Sequence, residues 1–522
     1  MSSAEQFTDL KKKLSRTWNT FFSKFGKLLE IQLRAMPVIL ERKNAIVISS
    51  TASGKTEAVV VPLIERLLKE EWKNLAILYI SPTKALVNDI YYRLNDQLEE
   101  LDVSVSLKTG DNPQFNPNKP PNFLITTPES FDSLLCRHPH SFNDVKAVVL
   151  DELHLVDNTY RGDQLRLLLK RLNCTAETDF NIYVLSATIA DPDEVAYRYF
   201  KNFEIVKASG KREVGYTLVK SFQEIFEHTK IERLKKLLIF CNKRASTETM
   251  AIDCKDLWDS TRVVVHHGSL SKTIREEAES FMRESQYGVC IATMTLEIGI
   301  DIGDIDAIVL AEVPWSISSL LQRIGRGNRR TLKNRVFAIY NSSSEKLLLE
   351  QMFKNAVEGY VESVDYSPDL SVAVQQIFSS LYANPNGLSD KYFLGLFNEF
   401  CSENDLREIL NYLISKSWIE KRNKKWYATT KLMDWGEKGK VHSNIPNIKT
   451  LEVIDVNSKQ TVGEVQYPVD EIFVLGGSIW RIVNILGDKI YVKSEKEKAF
   501  AIKFKSHNSK GAFYYFLPKY LR

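Results

Sequence analysis

The chain has 522 residues, 44% of them hydrophobic and 26% charged, with a net charge of +4. That length exceeds one hydrophobic core and predicts several domains, and the composition is ordinary for a soluble globular protein. Six cysteines without a C-x-x-C pair argue against a zinc site or a disulfide framework, and no apolar run reaches the ~18 residues of a membrane span. The N-terminal MSSAEQFTDLKKK lacks the apolar centre of a signal peptide, so a reducing, cytoplasmic setting without a membrane partner is expected. Charge is uneven along the chain. Residues 421–522 carry 19 Lys and Arg against 10 Asp and Glu, which suits a polyanion, or is only a lysine-rich surface.

In chain order, short apolar strands alternate with charged helical stretches. The first set is AIVIS (45–49), LAILYIS (75–81), FLITT (123–127), AVVLD (147–151) and IYVLSA (182–187). The second is LLIFC (237–241), VVVHH (263–267), VCIAT (289–293) and AIVLAE (307–312). Continuous apolar runs with helices between them predict parallel strands buried on both faces. Two α/β domains follow, 1–208 and 209–355, meeting at the polar turn Ala208-Ser209-Gly210. Residues 369–417 then read as three helices, and WIEKRNKKWYAT as two strands around a basic turn, which predicts a winged helix over 356–435. Short strands between Gly, Asn and Asp turns predict a small all-β domain over 436–522.

SSTASGKT (49–56) follows the strand AIVIS and opens a helical run, the context a phosphate-binding loop requires. Backbone N–H groups at Ser53 and Gly54, and the helix start at Lys55, Thr56 and Glu57, would cradle phosphates. Lys55 would reach the β and γ phosphates, and Thr56 would hold Mg²⁺. The strand AVVL runs into Asp151 and Glu152. At the carboxyl end of a parallel strand Asp151 can ligate the same Mg²⁺, and Glu152 can take the proton of an attacking water; a helix-capping acidic pair is the plainer alternative.

QRIGRGNRR (322–330) holds four arginines. Arg326 and Arg329 are three apart, so on a helix they share a face. If the second α/β domain faces the first, both would meet the γ-phosphate as charge develops there. Arg323 would face the Mg²⁺-side carboxylates or the interdomain seam, and Arg330 solvent or a strand.

In this order the segments resemble a superfamily 2 nucleic-acid helicase of the DEAD/DExH type, over roughly residues 30–335. SPTKAL (81–86), TTPES (126–130), DELH (151–154), SAT (186–188), LLIFCNKR (237–244), TMTLEIGID (293–301) and QRIGRGNRR are similar to its successive motifs. Ser49 and Asn328 stand where glycine is usual. His154 at the end of the acidic motif, Arg161-Gly162 after it, and VHSNIPN with FVLGGSIWRIV in the tail are similar to the Lhr-like (large helicase-related) branch. The resemblance implies two tandem RecA-like parallel-sheet domains, then a winged helix and a small β-barrel. It implies ATP and Mg²⁺ as cofactors, with Gln32 reading adenine and Gly299, Asp301 and Gln322 joining the ATP site.

The same resemblance implies a groove gripping one strand through Ser81, Pro82, Thr83, Lys84, Thr126, Thr127, Pro128, Glu129, Asn242, Lys243, Thr293 and Thr295. Contacts of this kind fix a backbone without reading bases, and helix capping competes for each threonine. His154 would couple to Ser186 or Thr188 and report γ-phosphate loss. The expected activity is a 3′–5′ ATP-dependent helicase or translocase on single-stranded or tailed duplex DNA, acting as a monomer. RNA or an RNA–DNA hybrid stays open as substrate. So does an ATP-switched clamp that binds nucleic acid and a protein partner without unwinding. Trp418 and Trp426 flank the wing, as base-stacking or core residues. Lys421, Arg422, Lys424 and Lys425 form its basic tip, as phosphate contacts or a solvated turn.

Overall fold

The structure is a computed structural model that describes residues 3–24, 27–49, 53–208, 213–297, 302–327, 333–362, 366–446, 450–466, 469–495 and 510–522. The first sheet comprises β1 (Asn44–Ile48), β2 (Ile77–Ile80), β3 (Val105–Lys108), β4 (Phe123–Thr126), β5 (Ala147–Leu150), β6 (Asn181–Ser186) and β7 (Phe203–Lys207). They lie in the order β3-β4-β2-β5-β6-β1-β7, all parallel. The second sheet comprises β8 (Glu213–Val219), β9 (Lys236–Phe240), β10 (Val263–His266), β11 (Gly288–Ala292), β12 (Ala307–Leu310) and β13 (Lys333–Ile339). Its order is β10-β11-β9-β12-β13-β8, again all parallel. These are the two RecA-like sheets. The runs ILYI, FLIT, AVVL and AIVL are buried at every position, as expected where helices cover both faces.

Helices at Ser3–Lys13 and Trp18–Phe22 precede the first sheet. Leu10, Leu14, Trp18 and Phe22 enter its core. The buried Glu65 carboxylate fixes this segment, accepting from the backbone N–H of Arg16 and Thr17 and from the Thr17 hydroxyl.

After the second sheet come helices Ser371–Ala383, Asp390–Phe397 and Glu403–Ser415. A three-stranded sheet accompanies them: β14 (Leu388–Ser389), β15 (Ile419–Arg422) and β16 (Lys425–Ala428). The β15–β16 hairpin turns at Asn423 and Lys424, both at positive φ (48° and 62°), which matches the right-handed twist of its strands. A curled five-stranded sheet follows, with β17 (Leu451–Asp455), β18 (Thr461–Val465), β19 (Ile472–Leu475), β20 (Ser478–Leu486) and β21 (Lys489–Ser494).

The two C-terminal units attach crosswise. The helical unit shares a core with the first RecA-like domain, Leu167 joining Val374, Ile377 and Phe378. The five-stranded sheet shares a core with the second, where Ala251, Val265 and Leu270 join Val462, Phe473 and Ile490. At Gly463 a Cβ would lie 2.3 Å from the Ser269 carbonyl oxygen, so only glycine allows that approach. Glu248 completes this attachment. Its carboxylate accepts from the N–H groups of Gly476 and Gly477, both at 2.6 Å, and contacts His267 Nε2 at 2.7 Å.

A buried polar cluster makes the other attachment. Asp132 Oδ2 accepts from Gln164, Gln375 and Gln376 at 3.2, 2.9 and 2.7 Å. Its Oδ1 faces Ser379, His442 Nδ1 at 3.3 Å and Arg171 at 3.6 Å. Burial would raise the Asp132 carboxyl, but His442, Arg171 and Ser379 hold it well below the usual carboxylate range. Burial likewise opposes charge on His442, and its hydrogen bonds to Asp132 and Cys136 outweigh this and push it up to about 9.

Asp132→Ala leaves Arg171 and His442 buried without their anion, and a stability loss of about 3–5 kcal/mol is expected by chemical denaturation. The His442 contribution is fully present below the unfolded value near 6.5 and is lost as pH rises through about 9. Stability should therefore fall between those limits by about 3 kcal/mol, and His442→Gln should remove that slope.

Candidate functional site

Because both sheets are parallel, their carboxyl strand ends gather on one edge of each, the place where open α/β sheets bind ligands. β1 leads through Ser49 to the loop, and the helix Lys55–Lys69 starts immediately after Gly54. Gly54 has φ +81°, and a Cβ there would lie 2.7 Å from Gln32 Nε2. Gln32 therefore packs directly against the loop, and its Oε1 accepts from the Leu29 N–H at 2.9 Å. Lys55 is buried, donates to the Ser49 carbonyl at 2.6 Å and lies 3.9 Å from Glu152. Glu57 faces Arg93 at 3.7 Å.

β5 delivers Asp151 and Glu152 beside this lysine. Glu152 adopts φ +41°, a left-handed conformation that costs a non-glycine residue roughly 1–2 kcal/mol. Burial would raise its carboxyl, yet the charges of Lys55 and Arg326 hold it below its ordinary value. Asp151 is pushed the other way, up to about 7, by burial first and the Glu152 charge second, against Lys55 and Arg93. Ser81 Oγ donates to Asp151 Oδ2 at 3.3 Å. Burial also holds the His154 imidazole neutral, down to about 4. Its Nδ1 lies 3.0 Å from Ser186 Oγ, so His154 and Ser186 meet as expected.

Donors and acceptors here fit a nucleotide with its cation. Ser53 Oγ and Glu152 Oε2 are buried without a hydrogen-bond partner among the described residues, and a buried orphan atom is costly unless something else completes it. Two adjacent carboxylates beside one lysine are likewise a set that favours added positive charge.

From the second domain, Arg326 is 2% exposed and donates to the Glu297 carbonyl at 2.7 Å. Its charge bears on Glu152 and His154, and the helix just before it touches Thr188 of the first domain through Ser318. Arg323 departs from expectation. Its Nε donates to the Glu297 carboxylate at 2.6 Å and its guanidinium lies over Phe240, inside its own domain, while its Nη1 is buried without a hydrogen-bond partner among the described residues; it forms no ion pair with Asp151 or Glu152. Gly299, Asp301, Asn328, Arg329 and Arg330 lie outside the described residues.

On one helix of the second domain Gln322 Nε2 donates to Ser318 Oγ at 3.4 Å, and across the seam Ser318 Oγ lies 2.8 Å from Thr188 Oγ1. Sequence reading missed Ser318 and Glu297. Ser318 sits one helical turn before Gln322, and Glu297 lies inside the quoted TMTLEIGID, so spacing held the signal in both cases.

The expected strand-gripping residues divide. Thr83 and Thr127 accept from Leu86 N and Ser130 N and cap their helices. Thr126 is fully buried with its hydroxyl on the Lys108 carbonyl, which removes that side chain from any groove surface. Thr295 Oγ1 lies 2.9 Å from His266 Nδ1, and Thr293 is buried, its N–H on the His266 carbonyl. Lys84 pairs with Asp111. Asn242 donates to the Val313 carbonyl at 2.8 Å and to Glu312 at 2.6 Å, and Lys243 precedes the helix Arg244–Leu257.

Arg161 links two of these loops. It donates to the Pro82 carbonyl at 2.6 Å and to both Glu129 oxygens at 2.7 and 3.1 Å. Glu129 is therefore a positioning anion, and Pro128 opens its helix. At Gly162 a Cβ would lie 2.5 Å from the Val156 carbonyl. Trp418 and Trp426 are 7% and 4% exposed and belong to the core of the helical unit. Of the basic tip, Lys421 pairs with Asp390 and Arg422 with Glu420, so half of its charge is already met.

A DEAD/DEAH box helicase model matches residues 29–195, and a helicase conserved C-terminal domain model matches 218–331. The ATP-dependent helicase Lhr-Core of Methanocaldococcus jannaschii is 32% identical, over 94% of this chain and 64% of its own length. Lhr-Core of Methanothermobacter thermautotrophicus is 30% identical, over 88% of this chain and 61% of its own length. Among solved structures, the Mycobacterium smegmatis helicase Lhr bound to ssDNA and AMP-PNP shares the fold with a TM-score of 0.72 at 24% identity. That match covers 83% of this chain and 62% of the other. The two helicase-model matches together place the chain among the DEAD/DEAH box helicases, and over most of its length it is similar to their Lhr-Core members. It spans 61–64% of the length of these curated relatives.

Proposed function

We propose that this chain hydrolyses ATP to move 3′ to 5′ along single-stranded DNA and to displace a paired strand. The observation that carries the reading is the pairing of Lys55 with Glu152 at 3.9 Å in one RecA-like domain, beside a seam where Thr188 meets Ser318 on the helix that leads to Arg326 in the other. Lys55 exchanges the Ser49 carbonyl for β and γ phosphate oxygens. Glu152, held ionised, accepts the proton of the water that attacks the γ-phosphorus as the bond to the bridging oxygen breaks. Arg326 meets the charge that spreads over the phosphoryl oxygens. Thr56 and Asp151 would hold Mg²⁺, which supplies Lewis-acid neutralisation of those phosphates when bound. Gln32 is set to read adenine. Gly299, Asp301 and Arg329, outside the described residues, keep their expected roles as part of this proposal.

Coupling runs through His154, Ser186 and Thr188. A change at Glu152 is felt by its neighbour His154 and passed to Ser186, while Thr188 holds Ser318 of the opposite domain. Cleft closure then shifts the Thr83–Lys84 and Thr127–Glu129 loops against Asn242, Lys243, Thr293 and Thr295. The crosswise attachments carry that motion outward, the helical unit with one domain and the five-stranded sheet with the other. DNA as substrate and the 3′–5′ direction follow the branch resemblance.

If backbone phosphates dominate the grip, affinity for an oligonucleotide should fall about 100-fold or more between 50 and 200 mM salt. Fluorescence anisotropy checks this, and salt-insensitive binding contradicts a phosphate groove.

A further inference from the structure

Phosphate contacts account for only half of a bound single strand; its bases must also lie against something. The groove loops named so far offer hydroxyls, amides and amines but no ring. Eight tryptophans occur in the chain, and Trp315, 73% exposed, is the most open of them. No ring or cation among the described residues covers it.

Exposure alone says little, but the loop that presents Trp315 is firmly built. It leaves the carboxyl end of β12, the sheet edge that also carries Asn242 and Thr293. On the near side, Asn242 donates to the Val313 carbonyl, and Glu312 accepts from Asn242 N–H and Ser246 Oγ at 2.6 and 2.7 Å. On the far side, Ser316 caps the helix Ile317–Ile324 and the Ile317 N–H donates to Glu362 at 2.6 Å. Two residues further, Ser318 touches Thr188 of the first domain. Trp315 therefore stands where the second domain, the seam and the chain leading to the helical unit come together. Met294, 64% exposed, lies at the end of β11 on the same sheet edge.

Local charge sorts the two sides of a strand. Glu312 and Glu362 flank Trp315 and disfavour a phosphate there, whereas an aromatic face accepts any base. A loop already fixed on both sides of the indole needs little further backbone ordering when a base stacks there. We infer that Trp315 is a base-stacking residue of the single-strand groove, set at the mouth of the interdomain seam. The inference rests on the strand-binding reading above and adds a base contact to its phosphate contacts.

The test compares the wild type, Trp315→Ala and Trp315→Phe on an oligothymidylate and on an oligomer of equal length built from abasic units. Trp315→Ala should bind oligothymidylate about 5- to 100-fold more weakly, with Trp315→Phe retaining most of the affinity. On the abasic oligomer all three should bind alike. An equal loss on both oligomers, or no loss on either, overturns the inference while strand binding stands. A wild-type chain that binds neither oligomer removes the strand-binding reading, and this inference with it.

Discussion

Glu152→Gln should keep nucleotide affinity and lose about 10²- to 10⁴-fold in phosphate release, the range for a missing general base. Glutamine keeps the shape and cannot accept the proton. The substitution also removes the second-largest influence raising Asp151, so the neighbouring carboxyl becomes a better anion and nucleotide binding should not suffer. Equilibrium binding of a fluorescent ATP analogue, beside single-turnover phosphate release, separates the two effects. Wild-type turnover in this variant would remove Glu152 from the chemistry.

Arg326→Ala should cost about 10³- to 10⁵-fold in turnover, the scale of an arginine that stabilises phosphoryl transfer. Its buried guanidinium has two structural duties besides: it binds the Glu297 carbonyl and helps hold Glu152 ionised. Arg326→Lys is the informative companion, because lysine restores the charge and loses the fork. A charge effect on Glu152 alone would let lysine recover most of the activity and would show in the alkaline shift of the pH profile of Arg326→Ala. A need for bidentate contact leaves both variants slow with unshifted profiles.

The parts of the fold that were legible in the sequence are those whose signal is local. β2, β4, β5 and β12 are buried throughout and read as unbroken apolar runs. β3 and β7 lie at sheet edges, half-buried, and mix polar residues into VSLK and FEIVK respectively, so no run announces them. β13 opens with Lys333, Asn334 and Arg335, charge that hides an interior strand. The phosphate loop and the acidic pair were legible because each is contiguous and sits at a strand end.

Partners far apart in sequence were not. Asp132 meets Gln375 and His442 across 243 and 310 residues, and nothing local to TTPESFDSLLC indicates a buried anion. Arg161 marks the branch in the sequence, but its grip on Pro82 and Glu129 needs the third dimension. The wing tryptophans show the opposite limit. Their sequence position suits stacking on a base, yet core packing uses both, and the exposed indole belongs to a loop of the second domain.

Strand displacement on matched duplexes with 3′ or 5′ single-stranded DNA tails, with ATP present or omitted, tests the central claim most directly. The predicted result is ATP-dependent opening of the 3′-tailed duplex by the wild-type chain, none by Glu152→Gln, and little opening of the 5′-tailed duplex. DNA-stimulated ATP hydrolysis without displacement of any tailed duplex, whether DNA, RNA or hybrid, would contradict the helicase reading and leave an ATP-switched clamp.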